Sequence, residues 1–598
     1  MGNTSATMQR MFRTPRISQL ATLCRVAVVL AGLGWAESAR ALVGSDSGPN
    51  IFNGLYINQF IGADAFYNEG YDGSGAIVAN IEAGWVWNGH ETLTGVFQYF
   101  YDPNAPAGES GQFDWHATMV GQVIAGNGIY TYQDGIAPGA TLWSSAIATT
   151  WDPETGSDYS GSFEISDSSF LYGYTAPMAI GVNGQHANVI NSSWGFSDPT
   201  GSNAETVTID ALLAQNNIVG VFAAGNSGPD ANTVVSPGAG FNGITVAALT
   251  SDNTNPAYGS VADFSSEGPN DFYNPQTGIT IPKIRAVVDI AAPGDDLTLA
   301  YYGGLTGGHT SGTDGTGGSG GYYAYGMAGT SFAAPIVAGA AALMVDAAKT
   351  FGDSEMEDAR VIKAALMAGA TQPTGWNNGQ TLVNGVIETT QALDYATGAG
   401  LINLNNTYGI YLGDTIPGFQ SLGLNTTAGV PGLGGGSVLP RGWDLGQVSE
   451  GAPNDYQISS ALTAGETMTV TVTWFADRQF NLTTGVASDV ALDDLALQIW
   501  LDGGSAQTLI AESDAPITTS QFLAFALPSS GDYTIRVIWE NQVYNLANSP
   551  HSSTYGIAWN VQTVPTPEPS VGLLFVTTIT ITLLRRPRRT TVRNGAFI

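Results

Sequence analysis

Thiol chemistry is almost missing from this chain of 598 residues, which holds a single cysteine, Cys24. One thiol excludes an internal disulfide, a zinc–thiolate centre and a paired-cysteine redox site, so stability must rest on core size. Charge is also scarce. Only 11% of residues are charged, and 18 basic against 50 acidic residues leave a formal net charge of −32. Ten of the basic residues sit in the two ends, at Arg10, Arg13, Arg16, Arg25 and Arg40, then at Arg585, Arg586, Arg588, Arg589 and Arg593. Between Leu42 and Leu584, 8 basic residues face 49 acidic ones, a net of −41. Such a surface repels nucleic acid and anionic membranes, and suits solubility in salt, cationic substrates or bound Ca²⁺. No cluster of ligands identifies a Ca²⁺ site, and no cofactor is required. With 43% hydrophobic residues the chain is not disordered, and its length allows two or more domains.

Both ends read as addresses. Four arginines precede the apolar run Val26–Trp35, and Ala39-Arg40-Ala41 offers a small-x-small cleavage site, so residues 1–41 are expected to be a signal peptide. At the other end, Val564-Pro565-Thr566-Pro567-Glu568-Pro569 leads into an apolar and threonine-rich run, Val571–Leu584, and then Arg585-Arg586-Pro587-Arg588-Arg589. Fourteen residues are marginal for a bilayer, and the arginines would act as a cytoplasmic stop. The order Pro-Glu-Pro, apolar run, arginines resembles the PEP-CTERM sorting signal of Gram-negative bacteria. That resemblance implies processing of residues 564–589 by an exosortase, after a transient membrane segment. A simple C-terminal anchor is the alternative.

Between the ends, two kinds of hydrophobic period divide the chain. Short apolar runs at Ala76–Ile81, Ala187–Ile190, Ile218–Ala223 and Ile244–Ala248 read as strands buried on both faces. Helical patterns at His116–Ala125 and Val207–Gln215 lie between them, and a further one runs over 360–368. Alternating strand and helix predicts an α/β fold with a doubly wound, mostly parallel sheet over 42–411, which binds ligands at the carboxyl ends of its strands. The Gly/Ser/Thr stretch at 303–321 reads as a surface loop, and Gly/Pro-rich residues 412–441 as a linker. Beyond them the period becomes two. In Met468-Thr469-Val470-Thr471-Val472-Thr473-Trp474 apolar residues and threonines alternate, and similar runs at 495–501, 521–527, 533–539 and 555–559 predict an all-β sandwich over 442–563.

The chemistry gathers at Gly329-Thr330-Ser331-Phe332-Ala333-Ala334-Pro335, a small-residue turn that opens a long apolar helix. A hydroxyl at a helix start sits beside unpaired N–H groups that stabilise negative charge. The stretch resembles the nucleophile motif of subtilisin-like serine proteases. Further matches are His116-Ala117-Thr118 through Gly126, Ala223-Ala224-Gly225-Asn226, and Asn191-Ser192-Ser193-Trp194-Gly195. The resemblance, which spans about 55–405, implies that Ser331 attacks, His116 is the general base and Asn226 donates to the oxyanion. It also implies that Ser193, Trp194 and Gly195 bind substrate. Two positions near the histidine depart from the family pattern: Ala117 replaces a glycine and Gly121 an alanine. A third departure is chemical. Glu82-Ala83-Gly84 stands where the family has Asp-Ser/Thr-Gly, and the extra methylene moves a carboxylate by about 1.5 Å unless its rotamer folds back. Glu82 is nevertheless the expected partner of His116, with Asp114 as a rival. Only 40 residues separate Ala41 from Glu82, too few for the family's usual folding pro-domain.

These readings converge on an exported, monomeric serine endopeptidase with a Glu82–His116–Ser331 triad, acting on protein or peptide at the cell surface or outside the cell. A proteolytically silent surface protein that uses the same fold for binding or adhesion is the alternative.

Overall fold

The computed structural model describes residues 56–105, 111–128, 134–151, 163–250, 258–303, 309–310, 323–413, 436–504 and 506–562. The expected signal peptide 1–41, the sorting signal 564–589, most of the linker 412–441 and most of the stretch 303–321 lie outside them. Of that last stretch, His309 and Thr310 pair antiparallel with Asp114 and Phe113.

The first half is built on one sheet. Its strands are β1 (Ile77–Glu82), β2 (Val96–Phe100), β3 (Thr141–Ala146), β4 (Val189–Ser192), β5 (Val219–Ala223), β6 (Ile244–Thr250), β7 (Ser260–Val261) and β8 (Ile290–Pro293). The order runs β7-β6-β5-β4-β1-β3-β2, with β8 also pairing with β6; every pairing is parallel except that of the short edge strand β7. Because strand side chains alternate, Val78 faces one apolar cluster while Ile77, Ala79 and Ile81 face another. Helices cover both faces. Helices α1 (Trp115–Ala125) and α4 (Thr330–Phe351) pack on the Val78 side. Helices α2 (Asp167–Thr175) and α3 (Ala204–Asn216) pack on the other. Helix α4 is long and apolar enough to cross a membrane, yet it is buried from Thr330 to Ala348. A helix apolar all round belongs in a core, and here the flanking sheet and helices supply it.

Helix α5 (Ala359–Gly369) carries the chain toward a second, β-rich region. Its strands are β9 (Thr381–Val383), β10 (Val386–Thr389), β11 (Arg441–Ser449), β12 (Asn454–Ile458), β13 (Thr467–Trp474), β14 (Asp477–Asn481), β15 (Val486–Asp502), β16 (Gln507–Ser513), β17 (Ser520–Ala526), β18 (Asp532–Asn545) and β19 (Ser552–Gln562). One sheet follows the order β11-β19-β13-β17 and is antiparallel throughout. The other is centred on β16-β15-β18-β12, which is antiparallel, with β14 pairing alongside β15. Val470, Val472 and Trp559 of the first share an apolar core with Leu495, Leu497 and Ile535 of the second. The hairpin β9–β10, far upstream in sequence, joins this second sheet by parallel pairing of Ile387, Glu388 and Thr389 with Ala511, Glu512 and Ser513.

The two regions are joined through packed contacts. Thr473 Oγ1 donates to the Arg360 carbonyl (2.8 Å), Thr519 Oγ1 to the Phe241 carbonyl (2.7 Å), and Trp443 Nε1 to the Tyr411 carbonyl (3.1 Å). Asp210, on α3, meets the Arg478 guanidinium of β14 at 2.8 Å, with both side chains at most 2% exposed.

Candidate active site

Five chain segments deliver the expected residues to the carboxyl end of the sheet. Glu82 is the last residue of β1, and Ser193 follows the last residue of β4. Asn226 lies three residues past β5, and Ser331 is the second residue of α4. His116 is the second residue of α1, where Asp114 caps the helix by accepting from the Ala117 N–H at 3.0 Å. That capping bond turns the rival carboxylate into its own helix end.

The Glu82 carboxylate is 1% exposed and divides its two oxygens. Oε2 meets His116 Nδ1 at 3.0 Å, and Oε1 accepts from the Ser193 N–H at 2.7 Å. The longer side chain is thus absorbed by a bond to the neighbouring strand end as well as to the imidazole. Burial lifts the Glu82 carboxyl above its ordinary range, against the opposing effect of His116 and the Ser193 N–H. For His116, burial opposes the charged form, but the hydrogen bond and charge of Glu82, with Asp114, outweigh it and raise its pKa above the ordinary 6.5. The imidazole sits between the rings of Trp115 (5.5 Å, edge-on) and Phe332 (5.7 Å, tilted) and keeps 24% of its side-chain surface exposed. With Nδ1 committed to Glu82, Nε2 is the nitrogen left for a reacting group.

The Ser331 hydroxyl donates to the Ser193 carbonyl at 3.0 Å. The peptide groups of Ser193 therefore serve the acid through the N–H and the hydroxyl through the carbonyl. Pro335, one turn on, has no N–H to return to the Ser331 carbonyl. Asn226 is oriented by its own partners: its Oδ1 accepts from both the N–H and the hydroxyl of Thr330, each at 2.9 Å. Because that oxygen is held by two donors, Nδ2 turns away and lies beside Gly329. The Ser331 N–H, in the first helical turn, has no acceptor within its helix. Gly225 makes this corner possible, with φ +110° and a Ser266 hydroxyl 2.9 Å from where a Cβ would stand.

The departures at 117 and 121 fit their surroundings. Ala117 is fully buried, and a Cβ on Gly121 would stand 2.7 Å from Val86 Cγ2. In this chain Val86 fills the space that an alanine would need.

Beside the strand end lies a cavity of about 490 Å³, lined by the rings of Phe163, Phe170, Trp194 and Phe196 with Ile165, and bordered by Asp167 and Glu205. Trp194 is fixed by donation from Nε1 to the Ile81 carbonyl (3.1 Å), and Gly195 completes that wall. Sequence patterns pointed to Trp194 and Gly195 but missed α2, which supplies Phe170. Ser166 was the available signal: its hydroxyl accepts from the Ser169 N–H as an N-cap. Among the described residues, no three His, Cys, Asp or Glu side chains are grouped to hold a metal ion.

The chain is similar to known proteins over its α/β half. The model of the subtilase family, peptidase family S8, matches residues 73–400. Bacillopeptidase F of Bacillus subtilis (strain 168) is 28% identical over 329 residues, covering 52% of this chain and 20% of its own length. Pyrolysin of Pyrococcus furiosus is 29% identical over 358 residues, 56% of this chain and 22% of its own length. The chain thus spans about a fifth of the length of these relatives. Among solved structures, that of the prenylagaramide maturation protease PagA is 22% identical with a TM-score of 0.41, covering 59% of this chain and 99% of that one. With the family model spanning more than half of its residues, the chain belongs to the subtilase family.

Proposed function

We propose that this subtilase is a secreted serine endopeptidase whose triad is Glu82, His116 and Ser331. The observation that carries this reading is the buried Glu82 carboxylate on His116 Nδ1, with Ser331 at a helix start against the Ser193 carbonyl. Ser331 Oγ attacks the substrate carbonyl carbon as His116 Nε2 takes its proton, and Glu82 holds the Nδ1–H and balances the imidazolium. The Asn226 amide and the Ser331 N–H receive the oxyanion. As the tetrahedral adduct collapses, the C–N bond breaks and His116 returns its proton to the leaving amine. Water then releases the acyl group by the same steps. In the free enzyme the hydroxyl rests on Ser193; catalytic hydrogen bonds often close only when substrate is bound.

Substrate backbone pairs along Ser193–Gly195, with the Ser193 carbonyl as acceptor because its N–H is held by Glu82. The cavity beside Trp194 takes a large apolar side chain, and the acidic rim favours a cationic neighbour. The rest of the reading follows the ends of the chain: export through residues 1–41, exosortase processing at 564–589, delivery to the cell surface or medium as a monomer, and no required metal. A small fluorophosphonate probe tests the central claim. Ser331-dependent labelling of folded protein, lost in Ser331→Ala, is expected; a folded protein that takes no label at Ser331 leaves only a silent binding protein.

A further inference from the structure

We infer that strand β14 of the β-rich region is a positioning element for the cavity beside Trp194. This rests on the endopeptidase reading above, and it assigns the β-rich region a part in substrate selection. Strand β14 alternates exposed and buried residues, and its two buried side chains, Arg478 and Phe480, both enter the α/β half. Phe480 is 7% exposed and belongs to the apolar cluster that holds Phe170 and packs against Trp194. Its backbone is clasped by Gln215 of α3, whose Oε1 accepts from the Phe480 N–H (3.0 Å) and whose Nε2 donates to the Phe480 carbonyl (3.3 Å). Arg478 reaches the same helix one to two turns earlier, at Asp210. Asp210 in turn accepts from the N–H groups of Phe241 (2.7 Å) and Asn242 (3.2 Å).

Helix α3 is therefore gripped at its middle and its end, while its first turn borders the cavity at Glu205. At 1.5 Å per residue, Asp210 stands only about 7 Å along the axis from that rim. Helix α2, the opposite wall, meets the same region at the turn after β14, where Leu171 lies 3.6 Å from the position of a Cβ on Gly485. Neither Arg478 nor Phe480 lines the cavity. Both set the spacing of the walls that do, and a cavity wall that shifts by a fraction of an ångström changes which side chain fits, because interiors are packed at crystal density.

The test uses the full chain and peptides carrying Phe or Ala at each of the four positions before the cleaved bond. Wild type is expected to prefer Phe at one of them. Phe480→Ala should lower that preference about tenfold in kcat/KM, mainly through KM, with other positions unmoved. The rate of Ser331 labelling by the small fluorophosphonate should stay at the wild-type value. Phe480→Leu, which restores most of the apolar volume, should recover the preference to within about threefold. A labelled Phe480→Ala protein with unchanged preference, or with equal losses at all four positions, overturns the proposal. If Phe480→Ala does not fold, Gln215→Ala, which releases the Phe480 backbone from α3, decides by the same ratio, a fall at that one position supporting and an unchanged ratio overturning. A wild type that takes no label overturns the endopeptidase reading and this proposal together, which separates the two failures.

Discussion

Two buried carboxylates, one at the candidate active site and one where the two regions meet, are treated in opposite ways. Glu82 and Asp210 are each 1% exposed, and burial raises the pKa of both. Glu82 is paired with an imidazole, which can lose its proton near neutral pH and is 24% exposed. Asp210 is paired with a guanidinium that is 2% exposed; burial works against that charge, but Asp210, Tyr544 and Asp489 hold it on. Arg285 and Arg478 also lie over the ring of the nearby Phe241, at 3.7 and 4.9 Å from its centre. The difference teaches how each pair is used. Where the proposed mechanism moves a proton, the partner is one that titrates; where a helix and a strand of the two regions are joined, the partner is one that does not.

The comparison breaks most visibly at Glu82. Glu82→Gln should lower kcat roughly 10⁴-fold, because the amide no longer holds the Nδ1–H tautomer or balances the imidazolium. The sign of the pH effect follows from the raised His116 pKa. The base must be neutral, so wild-type kcat/KM should rise with pH through a midpoint above 6.5. Removing the Glu82 charge and hydrogen bond should move that midpoint downward. A midpoint that stays in place would take Glu82 out of the pair. Arg478→Met should do the reverse. It leaves Asp210 buried and unpaired and should cost about 3–5 kcal/mol in denaturant melts, with Ser331 labelling of the remaining folded protein unchanged. Adding Asp210→Asn removes the unpaired charge and keeps an acceptor for one of the Phe241 and Asn242 N–H groups, so it should return part of the loss.

Asn226→Ala sharpens the catalytic side. It removes the proposed oxyanion donor and should lower kcat about 10²–10³-fold, with KM and melting temperature nearly unchanged. A third carboxylate gives the smallest effect. Asp494, on β15, is 7% exposed, its Oδ1 has no hydrogen-bond partner among the described residues, and Asn541 Nδ2 donates to its Oδ2 at 3.0 Å. Burial, then the charge of Asp514, pushes it up to about 7. A carboxyl raised on folding contributes stability below its unfolded value of about 3.9 and loses that contribution as pH climbs through 7. Asp494→Asn should therefore raise the melting temperature by a few degrees at pH 8 and hardly change it at pH 4. An equal change at both pH values would assign the effect to packing instead of ionisation.

How much of this could be read from the sequence depends on where each residue finds its partner. Strands β1, β4, β5 and β6 were legible because runs such as Ile77-Val78-Ala79 are buried on both faces and therefore apolar throughout. Strand β3 escaped notice. Its Ser144 and Ser145 look like loop residues, yet Ser144 Oγ accepts from the Val86 N–H and Ser145 Oγ donates to the Gly173 carbonyl. Strand β14, Asp-Arg-Gln-Phe-Asn, reads as polar for the same reason, since the partner that lets Arg478 be buried is 268 residues away. At the site, motifs pointed to Ser331, His116 and Asn226, which the fold brings to the same end of the sheet. No motif could say that the Ser193 N–H is held by Glu82, because that bond depends on how a longer side chain folds between two strand ends.

The hairpin β9–β10 has a consequence for how the molecule can be taken apart. It precedes the segment 414–435 in sequence but is paired with β16, which follows it. The two halves are therefore woven and not strung. A single backbone cut anywhere between Gly413 and Gly436 would sever the chain and leave the molecule in one piece. Its fragments would stay joined by strand pairing, by the Arg478–Asp210 pair and by the packing of α5 against β13 and β19.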